Sequence, residues 1–205
     1  MPDRAAIRIG AECRHCPLAE SQCGPVFAQR RSPRFVVVQD HPSKKDIRTG
    51  AAYNDDAGKL IRDAAPSATL TYAQMCGAPD GYRAIDDWIK DHRVENKARP
   101  PLIKCQKRLA IELERAEAIV TIGALAYSSV AKIFGVRIGD KKSRADRTTL
   151  SKLRVQRGHP FRLPNGAILM AAPSLYTALT SERKMVHVIL DDVRRMARLV
   201  RTRSW

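Results

Sequence analysis

The sequence predicts a three-layer α/β/α domain around a central, mainly parallel sheet of four strands, and three observations carry that reading. Phe35 to Val38 is a short unbroken apolar run, the pattern of a strand buried on both faces of a parallel sheet. "AEAIVTIGALAYSSVAKIF" reads as a strand from Ala118 to Ile122, a glycine turn at Gly123, and a helix to about Phe134. "AILMAAP", Ala167 to Pro173, repeats the strand signature. It precedes "SERKMVHVILDDVRRMARLV", a closing helix with Met185, Val188, Ile189, Val193 and Met196 on its apolar face. Strands that alternate with helices give a parallel sheet covered on both sides.

The remaining elements follow in order. "PPLIKCQKRLAIELERA" places Leu102, Cys105, Leu109, Ile111 and Leu113 at near-helical spacing ahead of the second strand. Two stretches interrupt the alternation. Residues 77–101 form a polar insertion with a short helix expected around Trp88, and residues 137–166 form a basic loop rich in turn residues. The loop suits either solvent or a DNA backbone. No repeat or sharp boundary divides the chain, so residues 1–205 read as one domain, which 205 residues at 44% apolar content can sustain.

The formal charge of +16 points to an anionic partner, nucleic acid before membrane. No run approaches the roughly 18 apolar residues of a membrane span, and "MPDRAAIRIGAECRHC" lacks the apolar segment of a signal peptide. An intracellular, cytoplasmic protein is expected, as a monomer without membrane attachment. Thiols in such a compartment are kept reduced. The spacing of "CRHCPLAESQC" therefore says more than the cysteine count: Cys13 and Cys16 can face one metal from a single turn. With Cys76 and Cys105 they make a four-thiolate set, Cys23 being a fifth candidate. Ligand type alone leaves iron–sulfur cluster and structural zinc both open, and buried cysteines serve equally as small core residues.

In an open parallel sheet, ligands bind beyond the carboxyl ends of the strands. The first strand runs there into "QDHPSKKDIRTG", which combines a candidate acid and base, Asp40 and His41, with the cations Lys44, Lys45 and Arg48. An ordinary polar connecting loop is the alternative.

In this order the pieces resemble the uracil-DNA glycosylase superfamily, in the iron–sulfur branch often called family four. "CRHCPLAE" matches its opening C-x-x-C-P-L segment, and "QDHPSKKDIRTGAAYNDDAGKLI" its pocket loop. Pro42, Thr49, Gly50, Ala57, Gly58 and Leu60 fall on their counterparts, with Tyr53 in the place of the aromatic that stacks on the base. "LTYAQMC", "CQKRLAIELE", "IVTIGALA" and "AAPSLY" continue the series to the end of the sheet. The resemblance implies a [4Fe–4S] cluster on Cys13, Cys16, Cys76 and Cys105, pinning three remote segments together, although the last two stand 29 positions apart, longer than the branch's usual spacing.

The catalytic pattern departs from the family. The acid that orients the attacking water corresponds to Asp40, the asparagine that reads uracil to Tyr72, and the histidine that stabilises the departing base to Ala172. Sites built to hydrogen-bond one group reject analogues lacking it by up to about 10⁴-fold, so Tyr72 implies another base, or none. Three readings stay open. One is a DNA glycosylase of altered specificity, with Asp40 positioning water and His41 or His159 replacing the lost histidine. The second is a base-modifying transferase acting on a phosphorylated hydroxymethyl-pyrimidine of viral DNA. The third is a non-catalytic DNA-binding protein. Pro42, Ser43, Lys44, Lys45, Arg48, Tyr53, Tyr72 and Ser174 are the expected substrate-binding residues, the three cations suiting the transferase reading best, and the DNA-binding part is common to all three readings. That part places Arg154, Arg157 and Arg162 on phosphates, and Leu175 or Tyr176 as a wedge in the gap left by a flipped nucleotide, core packing being the plainer role for the last two.

Overall fold

A computed structural model of the chain describes residues 4–13, 16, 24–76, 101–136, 158–181 and 183–203. A short helix, α1 (Arg4–Arg8), precedes β1 (Ser32–Gln39), α2 (Lys44–Thr49), α3 (Asp56–Ala64) and β2 (Ala68–Tyr72). After α4 (Pro101–Leu113) come β3 (Ala118–Ile122), α5 (Ala124–Ile133), β4 (Phe161–Arg162), β5 (Ile168–Ala172), α6 (Leu175–Ser181) and α7 (Arg183–Thr202). The insertion around Trp88 and the basic loop up to Arg157, with Arg154, lie outside the described residues, as does Cys23.

The sheet runs in the order β2-β1-β3-β5-β4. Its first four strands are parallel, Val36 facing Thr69 on one side and Ile119 on the other, and Ala118 facing Ile168. The expected count of four strands is corrected to five. β4, two residues at the foot of the basic loop, pairs antiparallel with β5 at the edge. Two residues carry no periodicity to read, and only Phe161 opposite Leu169 and Arg162 opposite Ile168 define the pairing.

Both faces of the sheet are buried, as the unbroken apolar runs require. Phe35 and Val37 point into one layer with Ile61 of α3 and Val193 and Met196 of α7. Val36 and Val38 point into the other with Leu109 and Leu113 of α4 and Val130 of α5. The side-chain period of two along an extended chain makes this division automatic. Two helix faces differ from the sequence reading. In α7 the buried stripe is Val186, Ile189, Leu190, Val193 and Met196, while Met185 and Val188 lie at its half-buried margin. In α4, Ile111 is 53% exposed, and Arg108 takes a place on the buried side instead.

Arg108 bridges α4, the helix that carries Cys105, and the end of β2. Its guanidinium donates to Tyr72 O at 2.6 Å, Thr71 Oγ1 at 2.9 Å and Glu112 Oε2 at 2.7 Å. Thr71 Oγ1 in turn donates to the same carboxylate oxygen at 2.6 Å. A buried charge stays buried only when paired, so the pair fixes how α4 sits on β2 rather than adding net stability. Among the described residues, no helix is long and apolar enough to cross a membrane. Arg108→Ala should therefore lower unfolding free energy by about 3–5 kcal/mol in urea titrations, by stranding Glu112, whereas Arg108→Met with Glu112→Leu should recover most of that loss.

Candidate functional site

The chain leaves β1 for β2 on one side of the sheet and leaves β3 for β5 on the other. The carboxyl ends of β1 and β3 therefore form the crevice where ligands enter such sheets. Gln39 and Ile122 are paired across it, so the next residues, Asp40 and Gly123, flank its mouth.

Asp40 reaches across the crevice to the start of α5 and accepts the Ala126 N–H at 2.8 Å through Oδ1. The helix has no cap of its own, because its N-cap is Gly123, at φ 109°. A Cβ on residue 123 would collide with the Asp40 carboxylate. Glycine here serves twice, adopting the positive φ and clearing space for an acid from another strand. A carboxylate at a helix N-terminus is favoured by the dipole and by the unpaired N–H groups. Burial outweighs this and pushes the Asp40 carboxyl up to about 6, against the opposing pull of the Ala126 and Leu125 N–H groups and of His41. At neutral pH the group is ionised yet close to its midpoint, as a proton acceptor requires.

His41 is exposed, with Nδ1 3.1 Å from Pro42 O, and Pro42 is buried. Ser43 caps α2 in a reciprocal box. Its hydroxyl accepts the Asp46 N–H at 3.2 Å, and its own N–H donates to Asp46 Oδ2 at 3.0 Å. Lys44 and Arg48 are exposed on this helix and Lys45 is half-buried, so the three cations stand on one short helix beside the crevice.

Asp46 is 2% exposed and holds the whole loop. Besides Ser43 it accepts the Asn54 N–H at 2.6 Å and the Tyr72 hydroxyl at 2.9 Å. Tyr72 OH also accepts the Tyr53 N–H at 2.7 Å, and the Tyr53 hydroxyl donates to Thr71 O at 2.7 Å. Desolvation pushes both phenols well above their ordinary value, so both remain protonated donors. The rings stack on each other, centroids 4.9 Å apart at 26°.

This arrangement differs from the expected stacking of a base on Tyr53, while Tyr72 fills space as its bulk implied. Tyr53 is fully buried and stacks on Tyr72, so it has no free face for a base. The Tyr72 hydroxyl gives its single proton to Asp46 and so has none left to read a base edge. Tyr53 pays backbone strain to sit there, at φ 56°, a conformation uncommon outside glycine. Leu175 is likewise fully buried in the core beneath α6, its plainer role, rather than standing out as a wedge; Tyr176 follows it in the first turn. Ser174, half-buried, accepts the Ala178 N–H through its carbonyl at 3.1 Å. Arg162 is exposed on β4, its guanidinium 3.1 Å from Gly166 O, and His159 is exposed just before it.

The four cysteines Cys13, Cys16, Cys76 and Cys105 line one small pocket with Gln74, Met75 and Lys104, and none is disulfide-bonded. Three segments converge to make it. Glu12 N donates to Lys104 O at 2.9 Å, Val26 N to Met75 O at 2.9 Å, and Gln74 Nε2 to Cys76 O at 2.6 Å. The donor set fits a thiolate-bound metal centre. The space between the thiols is about 20 Å³, room for about one water. Among the described residues, no three Cys, His, Asp or Glu side chains are drawn together closely enough to hold a metal ion.

No protein-family model matches the chain, and no curated protein matches it. Asp46, Arg108 and Gly123 are the contributors that sequence reasoning passed over. Ser43-x-x-Asp46 has the spacing of a capping box, and Arg108 with Glu112 has the four-residue spacing of a helix ion pair within an apolar face.

The Asp40 carboxyl carries a pH signature. A carboxyl whose pKa is higher folded than unfolded contributes stability that is complete below about 4 and is lost as pH rises through about 6. The stability of Asp40→Asn relative to the parent protein should therefore rise across that interval and level off above it, measured by urea denaturation at a series of pH values.

Proposed function

We propose that this chain is a DNA-binding, base-flipping member of the uracil-DNA glycosylase superfamily that releases a base other than uracil. The observation that supports the reading most is Asp40, a partly buried carboxylate poised at about 6 in the crevice between β1 and β3. Its carboxylate is held by N–H groups at the start of α5 and is the group that would orient and deprotonate a water for attack at the sugar carbon. The bond between that carbon and the base breaks as the new C–O bond forms, and the base leaves with the electron pair.

Tyr72 carries the altered specificity. Locked between Asp46 and Tyr53, it fills the position from which an amide would read uracil, and its donor is already spent. A base bound here is read by groups other than these two buried rings. The exposed cations Lys44 and Arg48, with Lys45 behind them, favour a second reading on their own account. They suit a phosphorylated base substituent displaced by transfer, with the glycosidic bond intact. The charge of +16, with Arg162 exposed at the edge of the sheet, supports DNA as the partner. A [4Fe–4S] cluster on Cys13, Cys16, Cys76 and Cys105 belongs to the proposal. Bound there, it would supply structural cross-linking of the N-terminal segment, the turn after β2 and the start of α4.

Mass spectrometry of nucleosides after incubation with DNA containing uracil, hypoxanthine or 5-hydroxymethyl-pyrimidines separates the readings. Release of a free base other than uracil is expected, reduced about 10²–10⁴-fold in Asp40→Asn. An altered base with intact glycosidic bonds would assign the transferase reading, and unchanged DNA would leave binding alone. Anaerobically purified protein is expected to hold about four irons per chain with the visible absorption of a cluster, lost in Cys105→Ser. One zinc per chain would instead assign a structural zinc site.

A further inference from the structure

At the opposite end of the sheet from Asp40 lies a second cavity, of about 280 Å³, beside the amino end of β2. Its floor is Ala68 and Leu70, and its walls are Gln29, Arg31, Arg62 and Asp63. An antiparallel bridge between Gln29 and Leu70 holds one wall, and the last turn of α3 supplies the other. The Arg31 backbone N–H is anchored on Thr69 Oγ1 at 3.0 Å, while neither guanidinium has a hydrogen-bond or ion-pair partner among the described residues. Gln29 Oε1 is shut off from solvent and accepts no hydrogen bond.

We propose that this cavity binds a small phosphorylated sugar, such as a mononucleotide. The lining complements both halves of that ligand. Two guanidiniums suit the dianionic phosphate, whose oxygens match their planar fork. The Asp63 carboxylate accepts a hydrogen bond from a sugar hydroxyl, which a bare phosphate does not offer. The volume lies at the lower edge of the 300–1,000 Å³ typical of ligand pockets, which suits one nucleotide rather than a dinucleotide. The site is independent of Asp40 and of the glycosylase reading.

Calorimetric titration of the full-length protein with thymidine 5′-monophosphate, thymidine and inorganic phosphate tests this. The monophosphate should bind most tightly, and Arg31→Ala with Arg62→Ala should weaken it by at least about tenfold. Asp63→Asn should weaken the monophosphate but not inorganic phosphate. Lys44→Ala, Lys45→Ala and Arg48→Ala together should leave the monophosphate unaffected. The proposal is overturned if the arginine pair can be removed without effect, or if the α2 substitutions cause the loss. A blunt DNA duplex weakened by the same factor in the arginine variant would assign the cavity to backbone phosphates and also overturn it.

Discussion

The contact on which the candidate site of this molecule depends is a carboxylate from one strand capping a helix that begins after its neighbour. Asp40 and α5 meet only because β1 and β3 are adjacent and in register, and because residue 123 has no side chain. The same contact draws the acid out of water. Desolvation and the helix terminus then act against each other, and desolvation prevails, leaving the carboxyl near 6. A buried acid balanced in this way is costly for stability and useful for chemistry, which is the usual relation at functional sites.

A second carboxylate does the opposite work. Asp46 is more deeply buried than Asp40, yet it receives two backbone N–H groups and a phenol, and it organises rather than reacts. Through Tyr72 it ties the loop after β1 to the end of β2, and through Arg108 the same strand end is tied to the helix carrying Cys105. The crevice and the thiol pocket thus share one rigid support. A displacement of β2 would be felt at both.

Much of the fold was legible because its strands are apolar on both faces. Ala118 to Ile122 is bounded by Glu117 and Gly123, so its limits could be read directly, and β5 was legible in the same way. β4 was not, being two residues long and held only by its partner. α2 read as a loop because its polar sequence has no apolar period, and only its cap betrays it. At the site, the place of Asp40 at the carboxyl end of β1 followed from the apolar run before it. The stacking of Tyr53 on Tyr72 did not, since it depends on the register of β2 against β1 and on a positive φ that sequence does not announce.

The most direct test of the account is a carbon-detected NMR titration of the Asp40 side chain in the intact protein, with Gly123→Ala as a reference in which the carboxylate is displaced. A midpoint near 6 that shifts in the Gly123 variant is the predicted result. A midpoint at about 3.9, the value of a solvated aspartate, in both proteins would contradict it.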